Sequence, residues 1–382
     1  MDILSSIPYL VRILVSLAGI LVIQKISKSL AAALAAGVLI LAFWTGHTPG
    51  SFVHVVRVRV FSLDTLFLSL VIAGVIWLSS LMSEAGMMKD LVASLKSRLS
   101  RKNLFAVLPA VVGLLPMPAG AVFSAPLLDD ADQEHVLSPL SKTRINYWFR
   151  HLWDYCWPLY PGFLLAADLA GLDIWKQAAL MLPLFFIAFA AGHIFLLRRI
   201  PPEKGARAAA GKAFLPLILP ILTVVCVYGL LLALVPALSV VNRYLPMVVG
   251  IVCGLVVLQF QRPVSAAVWK KVFTSPRTAS LVVTVILTRV YGAFIEAELS
   301  SGVLLMELVR GELSTFGIPV LLLVIILPFV SGLTTGIVIG FVGASFPVML
   351  SLAGPETGGV FAAIVLSYCC GHIGMILSPI HV

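Results

Sequence analysis

The stretch LLPMPAGAVFSAPLL, residues 114–128, is apolar enough for a membrane interior, yet it carries Pro116, Pro118, Gly120 and Pro126 around a lone hydroxyl, Ser124. Each proline removes a backbone donor and breaks the helical ladder, and in hydrocarbon every unsatisfied peptide group costs several kcal/mol. A break of this kind survives only against protein or a water-filled cavity. A second stretch, FVSGLTTGIVIGFVGASFPVM, residues 329–349, interrupts its helix by other means: Ser331, Thr334, Thr335, Gly336, Gly343 and Ser345 supply hydroxyls and bare backbone. Matching breaks in the two halves predict a pair of helical hairpins around a binding site near the bilayer midplane, the arrangement of secondary transporters with inverted repeats. The plainer reading is that small residues let helices pack closely.

Composition places both stretches in a membrane. Of 382 residues, 60% are hydrophobic and 11% charged, against roughly a quarter charged in soluble domains. Apolar runs of about 17 to 25 residues, long enough to cross a hydrocarbon core, recur along the whole length, so an all-α polytopic membrane protein is expected. Met1-Asp2-Ile3-Leu4 lacks the basic start of a secretory signal, and the first span is expected to be retained. The net charge of +9 resides in short connections between spans, without an aromatic-basic surface. That pattern fits positive-inside bias and argues against a nucleic-acid partner. Cys156, Cys226, Cys253, Cys369 and Cys370 lie in apolar runs without the spacing of a zinc or redox site and read as packing residues.

Spans are predicted at 7–23, 29–46 and 61–82, then a hairpin at 103–128, an interrupted span at 146–169 and a clean one at 174–197. After a basic linker, 198–212, the order recurs: spans at 213–236, 243–260 and 279–298, a hairpin at 316–350, and an interrupted span from 358 to the end. Gly37 and Phe43 match Gly254 and Phe260 at one common offset, and Gly86 with Gly302 and Gly120 with Gly336 match at an offset shorter by a single position. A nearly constant register across three landmarks predicts an internal duplication. The amphipathic stretches 84–98 and 299–312 read as interfacial arms.

Basic residues set the expected orientation. Lys25 and Lys28, the set Lys89, Lys96, Arg98, Arg101 and Lys102, the linker, and the set Arg262, Lys270, Lys271 and Arg277 all face the cytoplasm if the N-terminus lies outside. Arg57 and Arg59 dissent. Five crossings in the first copy then invert the second. By the same offset the span at 174–197 should have a partner that falls past Val382, and truncation is the favoured explanation over a naturally shorter second copy.

Ionisable residues within apolar spans are expensive and default to function. In HLWDYCWPLYPG, residues 151–162, His151 and Asp154 share a helical face before a two-proline break, which makes them candidates for proton or cation coupling. The alternative is an interfacial cluster in which Asp154 pairs with Arg150. The counterpart of the break in the second copy begins at Ser378-Pro379. Arg289 and Glu296 lie two turns apart on one face of the span at 279–298, with Glu298 near its end. A fixed cation at Arg289 suits a carboxylate or another oxyanion, and Glu296 is a further coupling candidate. A structural arginine held by helix carbonyls or by Glu296 is the other reading. His193 and His372 are isolated and read as satisfied interior residues. HExxH, GxSxG and GxxxxGK[ST] are all missing, so neither hydrolysis nor direct ATP drive has its apparatus. No enzymatic activity is expected, and no cofactor beyond a bound coupling ion, Na+ or H+.

Through LPMPAGAVFSAPLLDD, residues 115–130, and INYWFRHLWDYCWPLYPG, residues 145–162, the chain resembles an uncharacterised prokaryotic membrane family, the domain of unknown function numbered 401. That family is similar to the gluconate permeases of the ion transporter superfamily. The resemblance implies two repeats, 1–197 and 213–382, each with a scaffold part (1–102 and 213–314) and a transport part (103–197 and 315–382) that bears a re-entrant hairpin and a broken helix. It further implies elevator-like alternating access in a prokaryotic cytoplasmic membrane, substrate contacts at Pro118, Gly120 and Ser124 and at Thr334, Thr335 and Gly336, and room for a homodimer. Ser345, Arg289, Tyr160 and Ser378 complete the candidate substrate residues. The expected cargo is a small anionic metabolite, a carboxylate or sugar acid, with a cation/proton antiporter as the alternative.

Overall fold

The structure, a computed structural model, describes residues 7–114, 120–132, 136–198, 200, 213–299, 302–353 and 357–379. Apart from one β-bridge between Glu298 and Leu304, the regular structure of these residues is helical. The first series is α1 (Tyr9–Ser27), α2 (Leu30–Trp44), α3 (Pro49–Val60), α4 (Leu63–Glu84), α5 (Met87–Arg98), α6 (Arg101–Gly113), α7 (Gly120–Ala131) and α8 (Pro139–Arg150). A 3-10 turn (Leu152–Tyr155), α9 (Pro161–Leu169) and α10 (Ile174–Gly192) follow. The second series is α11 (Phe214–Leu234), α12 (Ala237–Val241), α13 (Leu245–Gln261), α14 (Ala266–Phe273), α15 (Pro276–Ile295), α16 (Leu305–Thr315), α17 (Val320–Thr335), α18 (Val338–Ala353) and α19 (Thr357–Ile376). Among the described residues six stretches are long and apolar enough to cross a membrane, or seven if α16 and α17, bent by 112°, count as one. The chain is a multi-pass membrane protein.

Local chemistry explains where the helices start. Ser29, Thr48 and Ser138 each accept a hydrogen bond from a backbone N–H in the first turn, and Pro49 and Pro139 follow the latter two at positions that need no donor. Helix α3, which carries Arg57 and Arg59, falls between two predicted spans, where the sequence reading expects no helix; it is short and buries no residue completely. The span expected from 358 onward is helical from Thr357 to Ile376 and leaves the helix ahead of Ser378-Pro379, where the interruption is expected; the residues after Pro379 lie outside the described ones. The first hairpin's turn, including Pro116 and Pro118, the linker 201–212 and His381 lie outside the described residues.

The order of elements recurs. Helices α14, α16, α17, α18 and α19 begin at a nearly constant offset from α3, α5, α6, α7 and α8 respectively. Gly86 and Gly302 both adopt left-handed φ, 71° and 77°, ahead of the amphipathic helices α5 and α16. The pairing of Gly120 with Gly336 does not hold: Gly120 opens α7, whereas Gly336 closes α17 with φ 66°. A better register comes from LP-x-V-x-GL, which reads Leu108-Pro109, Val111, Gly113-Leu114 in α6 and Leu327-Pro328, Val330, Gly332-Leu333 in α17. Its offset is the one that separates the starts of those two helices.

The chain divides into two compact units. The first comprises residues 1–69, 162–174 and 280–382. Within it α1 packs on α2, and α17 packs against α18 and α19. Its interior holds Tyr291, Phe294, Phe341, Phe346 and Tyr368. The Glu312 carboxylate accepts the Tyr9 and Leu10 N–H groups at 2.8 and 2.7 Å and so caps α1 from α16. The second comprises residues 70–161 and 175–279. There α6 packs against α5, α7 and α8 around Phe105, Leu108, Leu128 and Phe149, and α11 packs on α13. Arg262 pairs with Asp90, and Lys271 with Glu84 at 2.7 Å.

One contact is repeated in both units. A Cβ on Gly113 would collide with the carbonyl oxygen of Arg150, and a Cβ on Gly332 with that of Gly371. Only glycine permits backbones to approach so closely, so the motif glycine seats α6 on α8 and α17 on α19 in the same manner. The residues after those carbonyls, His151 and His372, thereby occupy equivalent places.

Candidate functional site

The second unit gathers one group of candidate residues at the break after α8. The His151 Nδ1 lies 2.9 Å from Asp154 Oδ2, with both residues buried. Tyr160 lies close to the same carboxylate. The 3-10 turn gives these side chains their placement: the chain leaves the α-helix at His151 and resumes only at Pro161, so His151, Asp154 and Tyr160 converge. Trp153 fixes the turn on α6 by donating its indole N–H to the Ala110 carbonyl at 2.8 Å. Ser124 of α7 is buried and donates to Asn146 Oδ1 of α8 at 2.6 Å.

The first unit holds the other group. At the end of α17, Thr335 Oγ1 donates to the Ser331 carbonyl at 2.7 Å, and Thr334 donates likewise to Val330. Ser345 of α18 donates to the Phe341 carbonyl at 2.6 Å. A hydroxyl whose proton serves its own helix presents only lone pairs outward. Together with the negative end of the α17 dipole at Gly336, these groups suit a cation better than an anion. Ser378 is buried just beyond α19.

The sole fixed positive charge among the candidates is elsewhere in this unit. Arg289 of α15 is 8% exposed and reaches Asp168 Oδ1 of α9 at 3.3 Å. Glu296, one of the partners the alternative reading offers it, instead faces Arg59 of α3 at 3.4 Å, and that pair is partly exposed. The reason is geometric: two helical turns separate Arg289 from Glu296, and α15 ends at Ile295, so Glu296 leaves the shared face. Arg59, Asp168, Arg289, Gly292 and Glu296 line a small, half-open chamber of about 80 Å³. A larger cavity of about 620 Å³, lined by His47, Ser51, His54, Arg59 and Glu298 among others, shares Arg59 and Ala293 with it. His47 rests edge-on against Phe294 at 5.0 Å, and its Nδ1 lies 3.3 Å from Ser51 Oγ. Burial pushes its imidazole below the usual histidine range.

The candidate residues thus form two groups. His151, Asp154, Tyr160 and Ser124 belong to the second unit; Thr334, Thr335, Gly336, Ser345, Arg289, Glu296 and Ser378 belong to the first. Pro118 lies outside the described residues, and Gly120 contributes the start of α7. His193 is exposed rather than interior, at the start of a π-helical turn after α10, while His372 is buried as expected. Sequence reading missed Asp168, Asn146 and Arg59. Asp168 carried a signal: it is a lone carboxylate in the apolar run LLAADLAGL, residues 164–172. Among the described residues no group of three or more His, Cys, Asp or Glu side chains is placed to hold a metal ion.

The family described as Protein of unknown function (DUF401) matches residues 9–382, and the chain belongs to it. None of the curated proteins matches the chain.

Proposed function

We propose that the chain is a secondary active transporter, a permease for a small organic anion such as a carboxylate or sugar acid, driven by H+ or Na+ and performing no covalent chemistry. The observation that carries this reading is Arg289, a charge-bearing arginine almost wholly buried in a membrane helix beside a polar chamber. Intramembrane charge is costly, and a chamber that opens on it offers an oxyanion the bidentate fork of a guanidinium. Cation coupling would use the α17 tip, where the Thr334 and Thr335 hydroxyls keep lone pairs beside the helix end at Gly336, and the Asp154 carboxylate. The recurrent order of helices supports two repeats, which the odd number of crossings would set in opposite orientation, with elevator-like exchange between the two membrane faces. A homodimer is compatible with this reading.

The experiment is uptake of radiolabelled organic anions into proteoliposomes under an imposed H+ or Na+ gradient. Accumulation that collapses with the gradient and is abolished in R289Q is the expected result; no accumulation of any anion would refute the proposal. The buried His151–Asp154 pair favours a second reading, a cation/proton antiporter. That reading predicts cation-for-proton exchange in the same vesicles without added anion.

A further inference from the structure

Resting on the reading of Arg289 as the anion's partner, we propose that Asp168 is an internal stand-in for the anion and the acceptor of a co-transported proton. In the resting chamber the guanidinium is occupied by the Asp168 carboxylate at 3.3 Å, with side-chain exposures of 8% and 3%. An incoming carboxylate competes for the same fork. Displacement takes the Arg289 cation away from the buried Asp168 carboxylate, and a proton taken up there replaces the lost positive charge. The balance is simple: Arg289 remains a cation, the anion replaces the Asp168 charge, and one proton converts Asp168 to its neutral acid. The charge buried in the chamber is therefore the same before and after loading, which is the condition for moving such a site through a low-dielectric layer.

The surrounding geometry fits a two-stage path. The chamber of about 80 Å³ has space for a carboxylate group with a few waters and not for a six-carbon acid, so the body of the substrate would extend into the cavity of about 620 Å³. Arg59 lines both, and its pairing with Glu296 at 3.4 Å is the more exposed of the two ion pairs. Opening that outer pair admits the anion to the inner one. The charged groups lining the chamber are Arg59, Arg289, Glu296 and Asp168.

The test is titration calorimetry of the purified full chain with gluconate and with acetate, at one pH in two buffers of different ionisation heat. The expected result is uptake of about one proton per anion by the native protein. D168N should bind at least tenfold more tightly with no proton uptake, D168E should restore the uptake, and R289Q should bind neither probe. Unchanged proton uptake in D168N, weaker binding in D168N, or absence of binding in both native protein and D168N would overturn the inference. Should D168N not fold, D168E and the neutral pair D168N/R289Q decide it: the first must keep the proton and change affinity, the second must lose binding, and any other result overturns it. Failure here is separable from failure of the transport reading. Anion accumulation with unaltered proton uptake in D168N removes only the role of Asp168, whereas proton-linked binding without accumulation removes only transport.

Discussion

In the α6–α8 pair the buried polar groups include Arg101, Ser124, Asn146, His151 and Asp154; in the α17–α19 pair they include Ser331, Thr335, Ser367 and His372. Yet the two pairs share an internal proline, Pro109 or Pro328, and, one helical turn later, a glycine that meets a carbonyl of the facing helix. What recurs is thus the backbone approach, which only glycine allows, and what differs is the chemistry placed beside it. The first pair carries a carboxylate bound to a histidine. The second carries hydroxyls bonded to main-chain carbonyls, Thr335 to its own helix and Ser367 to Val324 across the pair at 3.0 Å. Under the proposed reading both places serve the coupling cation, the first with a carboxylate and the second with hydroxyl lone pairs.

The most damaging way to probe the shared feature is to fill it. Gly113→Ala and Gly332→Ala each place a methyl against main-chain carbonyl oxygen rather than a flexible side chain. Each should cost about 3 kcal/mol, at the upper end for overpacked interiors, with similar falls in the apparent melting temperature of the purified protein. Gly311→Ala, where a methyl meets nothing within 4 Å, is the control and should not destabilise. A large loss for one glycine with none for the other would break the equivalence of the two pairs.

The comparison is sharpened by the two histidines. His151 is paired with Asp154, whereas the position equivalent to Asp154 after His372 is held by Met375. If coupling depends on the carboxylate, D154N and H151A should reduce ion-driven uptake about tenfold, equivalent to about 1.4 kcal/mol. H372A should stay within twofold. Intact uptake in D154N and H151A would strike both residues from coupling.

Much of this comparison was legible in the sequence, and the reasons it was not complete are physical. Apolar length gave the spans, and Gly86 and Gly302 gave a register that their left-handed φ values support. The glycine identity of Gly120 with Gly336 misplaces the hairpin register because it ignores the proline spacing; Pro109 to Gly113 and Pro328 to Gly332 are the better markers. Helix α3 is hard to read from sequence because its valines suit a strand as well as a helix, and Thr48-Pro49 is its available start signal. Partners of charged groups are the least legible. Arg289 and Glu296 share a face on a helix drawn to 298, but the helix ends at Ile295 and Asp168 arrives from a distant part of the chain. No local spacing records such a contact.

The smallest effect concerns the connection between α7 and α8, where that hairpin is tied by charge outside the spans. Asp132 is buried, accepts the Val136 and Leu137 N–H groups at 2.9 and 3.1 Å, and pairs with Lys142 at 3.1 Å. Burial alone would raise its carboxyl, but the backbone N–H groups and Lys142 outweigh it and hold the group below the ordinary value of 3.8. A folded value below the unfolded one means that the staple contributes fully above that ordinary value and is lost as pH falls through the depressed one. Asp132→Asn keeps one carbonyl acceptor and loses the charge, so the loss at neutral pH should be about 1 kcal/mol. The native protein and the variant should converge in apparent melting temperature as the pH is lowered below 3.8. A difference that persists undiminished at low pH would show that shape rather than charge holds this turn.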